Sequence, residues 1–300
     1  KFRQFNKVGI FIRQHNISYE GNCIIISSIP IRKFSIKLYV HKASVYKIIV
    51  KKEIKMLDII LNKEYQNFLK ASTDINFWTK NYITYKGNKI SLNKMQAKVA
   101  NSFEENKLAF AVKCRQTGGT LLGILATLHT AIFNKNFTIG VISCNNEMSR
   151  HILKEIIDIY NTIEKKYKPN LIQVTKDITT FSNGSTIRII SGPSTIKGVT
   201  FNMIYVDEAA YNNRWKEIFS DIVPALPENY RLLSISSHNK HAISYNMLVK
   251  TMIDMNTKNV TFWPWYLTDT DLMSVKACRA SLSFNAFVDE YECGGNYFNL

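Results

Sequence analysis

The stretch Leu108-Ala-Phe-Ala-Val-Lys-Cys-Arg-Gln-Thr-Gly-Gly-Thr120 joins an apolar run to a glycine pair, and residues 121–133 continue it with a helical pattern. A strand, a glycine loop and a helix in this order can hold a phosphate, because the helix N-terminus offers N–H groups to an anion. Gly118 and Gly119 give a permissive backbone, and Thr120 gives a hydroxyl suited to Mg²⁺. The stretch therefore predicts a phosphate-binding loop.

The lysine of this loop is displaced. The standard motif has a lysine where this chain has Gly119, so an ordinary glycine turn remains an open alternative. Lys113, however, lies at the start of the loop, and its long side chain can reach the same phosphates from the other side. The residues expected to bind the nucleotide phosphates are Lys113, Gln116, Thr117, Gly118, Gly119 and Thr120.

The chain around this loop alternates apolar strands with helical segments. Strands are predicted at 108–112, 137–143, 186–190, 203–206 and 232–236, and helices at 121–133 and 147–165. Such alternation favours an α/β fold around a mostly parallel sheet. Ligands of these sheets bind at the carboxyl ends of strands, so the loops after Val112, Val206 and Ser236 are expected to converge.

Two adjacent acids end one predicted strand, in Met203-Ile-Tyr-Val-Asp207-Glu208. A buried strand does not tolerate two carboxylates unless they emerge at its end with partners. We expect Asp207 to bind the Mg²⁺ shell and Glu208 to deprotonate the water that attacks the γ-phosphate. A strand that ends in two solvated acids is the alternative.

The motifs together resemble those of phage large terminase subunits. Arg115-Gln-Thr-Gly-x-Thr120 is similar to the family's Walker A motif, of which some members carry the lysine at the start of the loop. The apolar run that ends in Asp207-Glu208 resembles its Walker B motif. Phe181-Ser-Asn-Gly-Ser-Thr-Ile187 resembles the strand-turn-strand before Walker B, and Leu232-Leu-Ser-Ile-Ser-Ser-His-Asn239 resembles the coupling motif. The resemblance spans about residues 75–293.

The resemblance implies a P-loop NTPase with a three-layer αβα architecture, and it implies roles for further residues. Arg115 would be a γ-phosphate sensor or finger, although a surface arginine is an alternative. Gln96 would read adenine, since an amide both donates and accepts hydrogen bonds. Lys197 lies where the family usually has an arginine; a finger that acts on a neighbouring subunit's nucleotide and an ordinary loop lysine are both open. The coupling residues would be Ser236, Ser237 and Asn239.

The function so implied is ATP hydrolysis with Mg²⁺ that drives double-stranded DNA into a viral capsid. The expected partners are DNA, a portal, a small terminase subunit and further copies of the chain in a ring. No carboxylate cluster of a nuclease follows the motor segment, so we expect no DNA cleavage by this chain alone. The alternatives are a degenerate P-loop module that binds DNA or a partner without hydrolysis, a helicase-like translocase, and a structural protein.

Composition agrees with a polyanionic partner. The chain has 39 Lys+Arg against 23 Asp+Glu, a formal net charge of +16, although a lysine-rich solvated surface is an alternative. The five dispersed cysteines argue against a zinc site or a disulfide framework, and no apolar run is long enough for a membrane span. We expect a protein of the infected host's cytoplasm, with an N-terminal extension at 1–70 of unclear role and a motor domain at 71–300.

Overall fold

The computed structural model divides the chain into two compact units, Lys1–Asn67 and Phe68–Leu300. The roles expected for residues 1–70 and 71–300 stay predictions. The structure describes residues 16–20, 23–27, 62–106, 108–192, 198–213, 215–222, 226–228, 230–255, 257–267 and 272–294.

The first unit contains an antiparallel pair of strands. Strand β1 (Asn16–Glu20) pairs with β2 (Cys23–Ser27), whose isoleucine-rich composition favours a strand. Helix α1 spans Lys63–Ala71, and the apolar spacing of residues 51–70 also favours a helix there. Residues 51–61 and the strand-like run at 35–40 lie outside the described residues.

The second unit is built from strands and helices that alternate along much of the chain. Its other helices are α2 (Ile75–Tyr82), α3 (Lys94–Glu105), α4 (Gly119–Phe133), α5 (Asn146–Thr162), α6 (Trp215–Ile222), α7 (Ile243–Met255), α8 (Leu272–Ser281) and α9 (Phe284–Tyr291). Its strands are β3 (Thr84–Tyr85), β4 (Asn88–Lys89), β5 (Leu108–Lys113), β6 (Thr138–Ile142), β7 (Leu171–Val174), β8 (Ile178–Phe181), β9 (Thr186–Ile189), β10 (Met203–Asp207), β11 (Arg231–Ser237) and β12 (Val260–Trp263).

One eight-stranded sheet organises this unit, in the order β12-β5-β11-β10-β6-β9-β8-β7. All pairs from β12 to β9 are parallel, and the last two pairs are antiparallel. The β8–β9 hairpin turns at Asn183-Gly184, where Gly184 has φ +84°, as the dipeptide predicted. The mostly parallel sheet confirms the predicted fold class.

Helices cover both faces of the sheet, because the strands alternate two sets of apolar side chains. On β5, Ala109 and Ala111 join a core with helices α2 to α5, whereas Phe110 and Val112 join a second core with α6 and α7. Helix α4 is buried on nearly every side, which its continuous apolar composition requires. The architecture is the three-layer αβα arrangement expected from the sequence.

Within the described residues, no helix combines the length and apolarity that a membrane crossing requires.

A carboxylate holds the start of α2. The Ile75 N–H donates to Glu104 Oε1 at 2.6 Å, and the N-cap Asp74 accepts from the Phe77 N–H. Burial raises the pKa of Glu104 from 4.5 to about 7, and the nearby Asp74 charge adds to the rise. The protonated form therefore stabilises the fold, and this contribution is lost as the pH rises from about 4.5 through 7.

Replacing Glu104 by Gln should therefore remove one source of alkaline destabilisation. The shift would correspond to about 3 kcal/mol for an enclosed group, and solvent screening at this partly exposed carboxyl reduces it to about 1 kcal/mol. We expect Glu104→Gln to raise the free energy of unfolding by that amount at pH 8 and not at pH 4.5. Denaturant unfolding across pH measures it, with the exposed Glu164→Gln as control. Parallel pH profiles for wild type and Glu104→Gln would contradict it.

Candidate nucleotide-binding site

The three loops expected to converge do so, because β5, β11 and β10 are neighbours in the sheet and run parallel. Their carboxyl ends border a cavity of about 500 Å³. The cavity is lined by the loop 115–120 and by Lys113, Cys144, Glu208, Tyr211 and Ser237. The volume lies within the range of small-molecule sites.

The loop has the backbone of an anion site. Gly118 has φ +75° and caps the N-terminus of α4, and Gln116 also lies in the left-handed region with φ +59°. Thr117 is buried, and its hydroxyl donates to the Cys114 carbonyl at 3.3 Å. The first N–H groups of α4 have no partner within the helix, and the helix dipole favours negative charge there.

The side chain of Lys113 explains why residue 119 is glycine. A Cβ atom added at Gly119 would lie 2.6 Å from Lys113 Cδ and 2.8 Å from Ile235 Cγ2. Both distances are shorter than the contacts between non-bonded carbon atoms in a folded protein. The lysine stem thus crosses the space that a side chain at position 119 would fill. The two departures from the standard motif therefore have one steric cause. The lysine at 113 occupies the space that a side chain at position 119 would need.

Lys113 is bound to the acid predicted to be catalytic. Its side chain is 6% exposed, and Nζ lies 2.6 Å from Glu208 Oε1 and 3.0 Å from Ser237 Oγ. The Ser237 N–H donates to the other oxygen of Glu208 at 2.8 Å. Glu208 itself has φ +49°, an uncommon conformation for a residue with a side chain, and such strain concentrates at functional sites.

Asp207 forms a separate, more deeply buried group. Its Oδ1 accepts from the Thr120 hydroxyl at 3.1 Å and from the Tyr205 hydroxyl at 2.6 Å. Burial raises the pKa of the Asp207 carboxyl, while these hydrogen bonds and the Lys113 charge act in the opposite direction. A hydroxyl and a carboxylate side by side at a helix N-terminus are oxygen ligands of the kind Mg²⁺ uses, and a cation there would favour the ionised acid.

The predicted coupling residues contact Glu208 and the segment that follows it. Ser236 Oγ accepts from the Ala210 N–H at 3.0 Å and lies 3.5 Å from Glu208 Oε2. The Asn239 side chain donates to the Ala210 carbonyl at 3.1 Å. Ser236 and Asn239 therefore join the C-terminal end of β11 and the turn after it to the backbone N–H and carbonyl of Ala210, in the segment that follows Glu208.

Helix α9 borders the site, which no pattern in the sequence indicated. Arg115 Nε lies 3.5 Å from Glu290 Oε2, and the Arg115 N–H donates to the Glu290 carbonyl at 3.1 Å. Asp289 Oδ1 pairs with His238 Nδ1 at 2.9 Å. Arg115 thus reaches the cavity edge but binds a carboxylate of α9. Lys197, the other residue considered as a finger, lies outside the described residues.

The side-chain amide of Gln96 is already hydrogen-bonded within the protein at both its oxygen and its nitrogen. Its Oε1 accepts from the Asn93 N–H at 2.9 Å in a capping box at the start of α3, and its Nε2 donates to the Gly118 carbonyl at 3.0 Å. The side chain is 6% exposed. This geometry supports a role in holding the phosphate loop, and the adenine-reading role stays a prediction.

A comparison of ATP with GTP distinguishes the two roles considered for Gln96, support of the phosphate loop and recognition of adenine. Gln96→Ala should weaken ATP and GTP binding by a similar factor of about 2–10, because one hydrogen bond to the loop is lost whichever base is bound. Equilibrium titration with both nucleotides measures it, with the exposed Gln173→Ala as the matched control. A loss confined to ATP would restore the adenine-reading role.

Fold and site together define a P-loop NTPase domain. Residues 110–218, which include both the phosphate loop and the acidic pair, match the family described as terminase large subunit, T4likevirus-type, N-terminal. The matched segment lies in the second unit, and the match confirms the resemblance that the motifs of the sequence indicated.

Solved structures agree with this assignment in fold. The Thermus phage P74-26 large terminase ATPase domain superposes with a TM-score of 0.52 at 13% identity, over 69% of this chain and 94% of that one. The HK97 bacteriophage large terminase gives 0.56 at 15% identity, over 75% of this chain and 52% of that one. The large terminase of a thermophilic bacteriophage, solved in complex with ADP, gives 0.50 at 10% identity, over 66% and 52%. The chain thus spans about half the length of the latter two proteins.

Proposed function

We propose that this chain is the ATP-hydrolysing motor domain of a DNA-packaging terminase. The observation that carries the proposal is that Lys113, Thr120 and Glu208 line one cavity at the carboxyl end of the sheet, with the buried Asp207 hydrogen-bonded to Thr120. These residues supply a cation for phosphates, oxygen ligands for a metal and a base for water. The ADP complex of the thermophilic phage terminase and the name of the P74-26 ATPase domain support ATP as the nucleotide.

Binding of ATP requires Lys113 to exchange partners. Its Nζ is held by Glu208 in the structure, and a triphosphate carries more negative charge than one carboxylate. Transfer of Lys113 to the phosphates leaves Glu208 without its cation and therefore a better base for the attacking water. The Ser237 N–H still holds one oxygen of Glu208, so its position is kept while its charge is freed.

Mg²⁺, when bound with the nucleotide, would neutralise charge that develops on the phosphate oxygens. Thr120 and Asp207 are the residues that would hold it. Arg115 would give up Glu290 for the γ-phosphate, and Ser236, Ser237 and Asn239 would report the loss of that phosphate through β11.

The polymer moved is double-stranded DNA, in this proposal. The net charge of +16 favours a polyanion, and the terminase family supports DNA, a portal and a small terminase subunit as partners in an infected host's cytoplasm. A ring of copies would be the active assembly. A finger supplied by a neighbour would then speed hydrolysis, so the dilute chain is expected to turn over slowly.

The test is ATP hydrolysis by the chain, with and without Mg²⁺ and double-stranded DNA, alongside direct measurement of nucleotide binding. We expect hydrolysis that requires Mg²⁺, rises with protein concentration and rises further with DNA at low salt. Binding without hydrolysis, even in concentrated protein with DNA, would favour the degenerate module. Absence of nucleotide binding would overturn the proposal.

A further inference from the structure

Tyr205 is a buried hydroxyl group directly behind the metal-binding acid. It lies on β10 two residues before Asp207, so both side chains point to the same face of the sheet. The residue is fully buried, and its hydroxyl donates to Asp207 Oδ1 at 2.6 Å. A phenylalanine would fill the same core volume, so the hydroxyl has a reason beyond packing.

Helix α4 is shaped to admit this hydroxyl. A Cβ added at Gly123 would overlap the Tyr205 ring at Cζ and at the hydroxyl oxygen. Glycine in a helix interior is otherwise unfavourable, because it has no side chain to pack and loses the most conformational freedom on folding. The chain keeps a glycine one turn after the phosphate loop, where it lets the phenol reach Asp207.

Thr120 completes the arrangement. Its hydroxyl donates to the same Oδ1 at 3.1 Å, so two donors, one on α4 and one on β10, hold one oxygen of the carboxylate. A carboxylate held in this way has a fixed rotamer. Outer groups that orient a metal ligand commonly change metal affinity when they are removed.

We propose that Tyr205 is a positioning residue for the Mg²⁺ that accompanies the nucleotide, and that it acts by fixing the orientation of Asp207. The proposal rests on the function proposed above. It assigns Tyr205 no contact with nucleotide or water. Its hydroxyl holds the Asp207 carboxylate in one orientation at the N-terminus of α4. The carboxylate is therefore already ordered before the metal binds.

The test replaces the hydroxyl alone, in the full chain. Tyr205→Phe keeps the ring that packs against Gly123, and its melting temperature verifies that it folds. The control is Tyr245→Phe, because Tyr245 is equally buried but its hydroxyl lies 3.4 Å from Ser234, in the second core. The measurement is equilibrium binding of a fluorescent ADP as Mg²⁺ is titrated, and again in EDTA.

We expect Tyr205→Phe to raise the Mg²⁺ concentration for half-maximal binding about 10-fold, with unchanged ADP affinity in EDTA. Tyr245→Phe should keep the wild-type Mg²⁺ midpoint, even if both variants lose similar stability. An unchanged midpoint in Tyr205→Phe, with wild-type binding still dependent on Mg²⁺, overturns this inference and leaves the proposed function standing. A wild type that binds no nucleotide overturns both.

Discussion

Replacing Glu208 by Gln should lower the turnover number for ATP hydrolysis about 10²–10⁴-fold while ATP binding is retained or tightened. Glutamine keeps the size of the side chain and an oxygen for the Ser237 N–H, but it cannot take a proton from water. It also releases Lys113, since the 2.6 Å ion pair is lost. ATP then no longer competes with a carboxylate for that lysine.

Single-turnover hydrolysis and nucleotide titration measure the two effects separately, and both are needed. Glu105→Gln is the control, because Glu105 is exposed at the end of α3, shortly before the amino end of β5, whereas the cavity lies at the carboxyl end of that strand. A Glu208→Gln variant that hydrolyses ATP at the wild-type rate would falsify the assignment of Glu208 as the base. ATP binding weakened more than 10-fold would contradict the competition between Glu208 and the phosphates.

Replacing Lys113 by Ala should weaken ATP binding by about 10–150-fold, because hydrogen bonds to charged groups contribute about 1.5–3 kcal/mol. Hydrolysis should fall at least as far, since the same cation would stabilise charge on the transferred phosphoryl group. Lys135→Ala is the control, because Lys135 is an exposed lysine just beyond the far end of α4. Wild-type affinity in Lys113→Ala would mean that the displaced lysine is not part of the phosphate site.

A second substitution tests whether Gly119 and Lys113 are coupled as the geometry requires. Gly119→Ala in the wild type should weaken ATP binding and lower the melting temperature, because the new Cβ displaces the lysine stem. In the Lys113→Ala background the same change should cost less, since the two close contacts with the lysine stem are gone and the contact with Ile235 remains. The double-mutant cycle should show a coupling energy of about 1 kcal/mol or more. Strict additivity would contradict the shared space.

Local patterns were sufficient to predict the elements that carry the chemistry. The apolar run, glycine pair and helix around Thr120 predict strand, loop and helix from neighbouring residues alone, and the acids after Val206 mark a strand end. Convergence also followed, because parallel strands share an edge. The capping box from Asn93 to Gln96 is likewise a local pattern, and it marks the start of α3.

Other parts of the site depend on contacts that no local pattern contains. The path of the Lys113 stem over Gly119 is a property of packing against Ile235, far along the chain. Asp289 and Glu290 occupy an ordinary amphipathic helix, and only its placement beside His238 and Arg115 gives them a role. In the sequence, Tyr205 looks like any other apolar residue of a strand. Its proposed role depends on Gly123, which lies against its ring only in the folded protein.

The position of β5 in the sheet has a consequence for how this protein is made. Both neighbours of the strand that leads into the phosphate loop, β11 and β12, come later in the chain, and Lys113 meets Ser237 across 124 residues. At about 5–20 residues per second, a ribosome needs roughly 6–25 s to supply the first of them. During that interval the nascent chain exposes apolar strand edges with no partner. Expression at reduced temperature, or together with a holdase chaperone, should therefore raise the yield of soluble protein.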